Sequence, residues 1–152
     1  MKLTEMSLTS SGVNRIMVIS KDPAALNEQE LYARKARGLL RGLQASSDTI
    51  QASALVSNDG LIVASVLSET VDADRFGAMC ASLLALATRA AKEVDRGELR
   101  QIILDGALGP MLLTRAGESG VLAVAATPSV NLGKLILDTR NTARSLAELK
   151  DA

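Results

Sequence analysis

The sequence predicts an α+β fold in which helices and antiparallel strands follow the order α-β-β-α-β-β-β-α. Three observations carry this. Within residues 51–67 (QASALVSNDGLIVASVL), two short apolar runs flank Asn58-Asp59-Gly60, and the Asp-Gly step supplies the φ > 0 position that a tight β-hairpin turn needs. Residues 72–94 repeat apolar side chains with helical spacing over more than five turns. Three strand-length runs, 99–105, 110–116 and 121–127, are separated by short glycine-bearing gaps. Gaps that short join antiparallel neighbours, because parallel strands need a crossover of about a dozen residues or more.

The elements can be justified in order. Residues 1–25 are read as an N-terminal tail, rich in Ser and Thr, or as an extra edge strand formed by 13–20 (VNRIMVIS), which adds to a sheet edge or orders only in an oligomer; residues 26–152 form the main domain. The first helix is expected to open at a capping box, Asn27 with Glu30, and to run to about Ala45. Tyr32, Ala36, Leu39, Leu40 and Leu43 make its apolar stripe, while Arg34, Arg37 and Arg41 share another, solvated face. Gly38 and Gly42 each cost about 1 kcal/mol relative to Ala in a helix, and their spacing permits close approach of another element.

After the hairpin, Asp72 and Asp74 place negative charge at a helix N-terminus, where the peptide dipoles favour it. At 100° per residue, Phe76, Met79, Cys80, Leu83, Ala87, Ala90 and Val94 fall on one face, with Leu84 and Leu86 at its margins, and this face is expected to pack on the sheet. The opposite side carries Ala78, Ala81, Ser82 and Ala85 where a solvent face would carry Lys and Glu, which points to a close helix or partner contact. In the meander that follows, Pro110 belongs at a strand start because it has no N–H. The last helix is expected after Pro128, capped by Ser129 or Asn131 and running to about Lys150, with Leu132, Leu135, Ile136, Thr139, Ala143 and Leu146 inward and Arg140, Asn141, Arg144 and Glu148 outward.

Composition narrows the chemistry. The 152 residues fit one domain able to bury roughly two-thirds of its unfolded surface. Seventeen basic residues balance seventeen acidic ones, so no net field steers the chain to nucleic acid or an anionic membrane. One Phe, one Tyr and no Trp leave no stacking platform for single strands. With no histidine, Ser-His-Asp and Cys-His catalysis and His-containing zinc sites are excluded.

Cys80, alone among Met79, Ala81, Leu83 and Leu84, reads as a buried thiol. GALG and GESG, the two glycine-bearing gaps, are followed by no helix and lack the Lys-Ser/Thr of a phosphate-binding loop. Asp138 with Arg144, or Arg140 with Asp105, are the pairs available for acid-base work, but charges on helix exteriors ordinarily solubilise. No catalytic residue, metal or cofactor is expected. No apolar run reaches membrane-spanning length and the N-terminus has no signal-peptide core, so a cytoplasmic location is expected.

The order of elements over residues 28–150 resembles the Roadblock family of dynein light chains and their bacterial and archaeal relatives. ALVSNDGLIVAS is similar to that family's first hairpin, DADRFGAMCASLLALATRAAKEV to its central helix, and GVLAVAATPSVNLGKLILDTR to its last strand and the Asn131-Leu132-Gly133 helix start. The resemblance implies an α/β sandwich of profilin-like or Roadblock type, with a five-stranded antiparallel sheet between helices. It also implies a homodimer in which the third strands, bearing Leu99, Gln101 and Ile103, pair across a two-fold axis, with the central helices side by side. Ala78, Ala81, Ser82 and Ala85 suit that helix contact, and the edge strand would otherwise be unpaired.

Bacterial members of the family regulate Ras-like GTPases, so the resemblance implies a non-catalytic module that binds such a GTPase, with Arg75 and Arg89 as docking residues. Two alternatives stand beside it: a light-chain-like scaffold in a larger motor or signalling complex, indifferent to nucleotide state, and a small-molecule sensor, which a pocket of convergent polar groups would favour.

Overall fold

The computed structural model describes residues 23–118 and 120–151. The elements are α1 (Pro23–Ala45), β1 (Ile50–Ser57), β2 (Ile62–Val66), α2 (Ala73–Glu93), β3 (Gln101–Gly106), β4 (Gly109–Arg115), β5 (Gly120–Ala126) and α3 (Leu132–Asp151). This is the order expected from the sequence. The tail and the strand expected at 13–20 lie outside the described residues.

All five strands form one antiparallel sheet in the order β2-β1-β5-β4-β3. The β1–β2 hairpin turns at Asn58-Asp59-Gly60 as its sequence requires. Gly60 has φ 88°, its N–H donates to the Ser57 carbonyl at 3.0 Å, and the Ser57 hydroxyl donates to Asp59 Oδ1 at 2.7 Å. That hydroxyl bond, with a backbone one, holds the Asp59 carboxyl below its ordinary range.

Strand alternation sends side chains to two separate cores. On one face α1 and α3 cover the sheet with Ala36, Leu40, Leu43, Leu135, Ala143 and Leu146, packed on Leu55, Leu112, Leu122 and Val124. On the other, Ala73, Cys80 and Leu84 of α2 meet Val56, Ile62, Leu113, Val121 and Ala123. Removing a fully buried leucine from water contributes about 1.5–3 kcal/mol, so leucines such as Leu40, Leu112, Leu113 and Leu122, all at 0% exposure, hold the layers together. Ser53, buried between α1 and the sheet, is satisfied by donating its hydroxyl to Gln44 Oε1 at 2.7 Å.

The ends of α2 and α3 follow the caps read from the sequence. Asp72 accepts the Arg75 N–H at 3.2 Å, and Asn131 Oδ1 accepts the Lys134 N–H at 3.0 Å. The first helix differs. It begins at Pro23, so Asn27 is already inside it and no capping box forms with Glu30. Proline suits a first helical position because its φ is preset and its missing N–H would have been an orphan there.

Three further expectations are corrected. Leu132, at the first turn of α3, is 41% exposed. Gly38 and Gly42 have nothing within 4 Å of where a Cβ would stand, so no element packs closely on them, and α3 faces them across a shallow pocket. The stripe of α2 is rotated: Met79 and Val94 are exposed, Ala90 too, and the buried line is Ala73, Gly77, Cys80 and Leu84. The cause is the Asp-Gly turn beneath the helix. A Cβ at Gly77 would lie 2.5 Å from the Gly60 carbonyl oxygen, so the helix sits down on its glycine and its larger side chains turn sideways and outward.

Candidate interaction surface

The outward side of α2 is smooth. Arg75, Ala78, Ser82, Ala85 and Arg89 are exposed along it. Ala81 is half-buried, because it and Ala78 flank the Gly60 turn; a Cβ at Gly60 would stand 3.5 Å from the Ala81 Cβ. Part of the small-residue pattern therefore serves a contact within the chain, and the part left free is Ala78, Ser82 and Ala85.

The rotation that exposes Met79 has a further effect. α2 packs chiefly on β1, β2 and β5, and meets β4 through Leu113 and the Arg115–Thr88 hydrogen bond. Beside it, Phe76, Met79, Leu83, Leu86 and Met111 border an apolar groove of about 610 Å³. Met79 is 51% and Leu86 61% exposed. These are large apolar groups, and they line one continuous trough rather than standing singly on the surface.

The groove reaches Met111 of β4, one strand short of the free edge of the sheet. β3 pairs only with β4 among the described residues, in the register Gln101↔Thr114 to Gly106↔Gly109. Because the Arg115 N–H donates to the Arg100 carbonyl, antiparallel alternation turns the N–H and C=O groups of Gln101, Ile103 and Asp105 outward, away from β4. Ile103 and Leu104 are both substantially exposed. Ile102 packs with the α2-side core, so Leu104 shares that face, and Ile103 points to the opposite one, near Pro128 and Leu132. Leu99 precedes the strand and is half-buried, its carbonyl accepting from Arg115 Nε at 3.1 Å. Gln101 is half-buried, with Oε1 buried and unpartnered.

The residues singled out in the sequence thus fall into two adjoining groups, the outer face of α2 and the β3 edge. Sequence reasoning missed Met79, Leu86 and Leu104 as part of this surface. The signal was available at Leu86, which the helical projection leaves at the margin of the apolar face.

The groups that the sequence offered for nucleophilic or acid-base work are enclosed or kept apart. The Cys80 thiol is enclosed, and burial pushes it up to about 11, away from the thiolate a nucleophile needs. Asp138 pairs with Lys134 at 2.6 Å rather than with Arg144, and Arg140 forms no ion pair with Asp105. Among the described residues no group of three or more His, Cys, Asp or Glu side chains is placed to hold a metal, and no helix is long and apolar enough to cross a membrane.

Residues 36–126 match the family model of the Roadblock/LC7 domain. Two uncharacterized proteins of Methanocaldococcus jannaschii are close in sequence. MJ1340 is 36% identical over 100 residues, 66% of this chain and 87% of that protein; MJ0310 is 37% identical over 97 residues, 64% of this chain and 84% of that protein. Among solved structures, MglB of Myxococcus xanthus superposes with a TM-score of 0.72 at 19% identity, covering 77% of this chain and 95% of that one. A Roadblock/LC7 domain of Streptomyces avermitilis does so with 0.71 at 22% identity, covering 76% and 98%. At such identities the structural likeness concerns the fold.

Proposed function

The chain belongs to the Roadblock/LC7 domain family, and from that premise we propose that it is a homodimeric regulatory module, without catalysis of its own, that binds a small Ras-like GTPase in the cytoplasm and modulates its GTPase cycle. The module on this reading opens with α1, which takes in Pro23 rather than starting at residue 26. One observation carries the dimer: an apolar groove beside α2 reaches Met111 of β4, and the next strand, β3, has an unpaired outer edge. A second copy related by a two-fold axis satisfies both features at once. Its β3 takes up the outward N–H and C=O groups, and its α2 lies beside the first over the continuous sheet, burying Met79, Leu86 and Leu104.

The GTPase assignment is supported by the family. Its docking platform is the paired outer faces of α2, where Ala78, Ser82 and Ala85 allow close approach and Arg75 and Arg89 supply charge. Any stimulation of hydrolysis works by ordering the GTPase's own water-positioning and phosphate-contacting groups, since this chain offers no convergent catalytic set.

The test is a calorimetric titration of the full chain into a Ras-like GTPase encoded beside it, loaded with GDP or a non-hydrolysable GTP analogue. Binding that distinguishes the two states supports the proposal. No binding in either state overturns it, and equal binding in both favours a nucleotide-indifferent scaffold.

A further inference from the structure

A cavity of about 1110 Å³ lies away from the α2 groove, at the Gln101 end of β3. Five arginines border it from three elements. Arg96 and Arg100 come from the segment joining α2 to β3, Arg115 from the end of β4, and Arg140 and Arg144 from successive turns of α3. Glu98 is the one carboxylate among the lining residues. None of the five is ion-paired within the described residues, although Asp95 and Glu148 stand nearby in sequence.

Two of the five arginines are held in place. Asp95 takes φ 56° at the end of α2, the Arg96 N–H donates to Ala91 O at 2.7 Å, and Arg96 Nε donates to the Val94 carbonyl at 3.0 Å. Arg115 is fixed by Nε to the Leu99 carbonyl and by Nη2 to Thr88 Oγ1 at 3.2 Å, with further donors left over.

A second, independent feature marks the same place. Thr114 and Gln101 are cross-strand partners, both lining the cavity. Thr114 is only 6% exposed and its Oγ1 has no hydrogen-bond partner; Gln101 Oε1 is likewise buried and unpartnered. Native folds leave few such groups unsatisfied, and each marks a place where a partner is missing. Five guanidinium groups against the single Glu98 carboxylate, beside an orphaned threonine hydroxyl, make a receptor for a multiply charged oxyanion, which accepts paired N–H bonds from arginine; the Gln101 oxygen, an acceptor, needs an N–H donor and takes no part in holding the anion.

From this we propose that the cavity binds a small polyphosphate anion, supplied either as free inorganic polyphosphate or as the triphosphate tail of a nucleotide. Recognition rests on the phosphates alone, since the chain's one Phe and one Tyr do not line the cavity and no ring is available to stack on a base. The site lies apart from the GTPase platform on α2 and adjoins the proposed dimer edge at Leu99 and Gln101.

Isothermal titration of the full chain with tripolyphosphate and with ATP tests it, beside R140Q/R144Q and the charge-matched control R34Q/R37Q on the solvated face of α1. The expected result is binding that weakens with salt, falls at least tenfold in R140Q/R144Q and is unchanged in R34Q/R37Q. Equal affinity for the two ligands identifies any triphosphate tail as sufficient; tripolyphosphate binding without ATP identifies the free anion. Binding of ATP without tripolyphosphate, equal binding by R140Q/R144Q, or no heat with either ligand overturns the proposal. The same double variant, by relieving mutual repulsion, is expected to melt at or above the wild-type temperature without ligand and to lose the rise that tripolyphosphate gives the wild type.

Discussion

The Gly60 carbonyl oxygen sits beneath Gly77 so closely that a Cβ on Gly77 would approach it to 2.5 Å, with Ile62 Cδ1 only 3.2 Å away. Both obstacles belong to the folded core, and the nearer is backbone. Gly77→Ala is therefore expected to destabilise the protein by about 1–3 kcal/mol, the range for overpacking, despite alanine's better helix propensity. Gly38→Ala, where nothing lies within 4 Å, is expected to stabilise by about 0.5–1 kcal/mol. Urea unfolding of the two variants gives opposite signs if the turn seats the helix; the same sign in both contradicts it.

The same seating separates two adjacent leucines. Leu84 is 6% exposed and packed in the α2-side core, whereas Leu83 is half-buried on the groove. Leu84→Ala is expected to cost about 2–5 kcal/mol and Leu83→Ala distinctly less, because a partly open site leaves no closed cavity. Chemical denaturation of the monomeric unit at low protein concentration reads the difference. A larger loss at Leu83 would restore the unrotated helix.

These two sites also define what the sequence reveals. Asp72, Asn131 and the Asn58-Asp59-Gly60 turn act through local chemistry, their own side chains and φ values, and local chemistry is legible residue by residue. The rotation of α2 is set by a contact between Gly60 and Gly77, seventeen positions apart in an element pair whose register no periodicity encodes, so a projection at 100° per residue misplaced Met79 and Val94. The arginine cavity was hidden for the same reason. Arg140 and Arg144 look like an ordinary solvated face until the fold brings Arg96, Arg100 and Arg115 to them.

Cys80 gives a pH-dependent prediction. Its thiol is at 0% exposure, and burial raises it from 9.0 to about 11. Unfolding returns it to the lower value, so between about pH 9 and 11 the folded chain holds more protons than the unfolded one and stability falls as pH rises. Cys80→Ala lacks this component, so the stability difference between wild type and variant is expected to shrink across that interval. A disulfide reagent at pH 8 is expected to label the thiol only on unfolding. A constant difference, or rapid labelling of the native protein, is the contrary result.

The β3 edge supplies the test of assembly. Ile103 turns its N–H outward, so Ile103→Pro removes no bond to β4 but places a ring where a mate strand would accept that N–H. Leu104, on the α2-side face, is 38% exposed in the single chain and enclosed in the proposed dimer, where Leu104→Asp would bury an unpaired carboxylate. Both variants are expected to keep the far-UV circular dichroism of the wild type and to elute at monomer mass by light scattering. Asn131→Ala, which loses a cap worth about 1 kcal/mol on α3, is the control for general destabilisation and is expected to remain dimeric. If both edge variants kept the dimer mass, the two copies would meet elsewhere, and the open groove beside Leu86 would need another occupant.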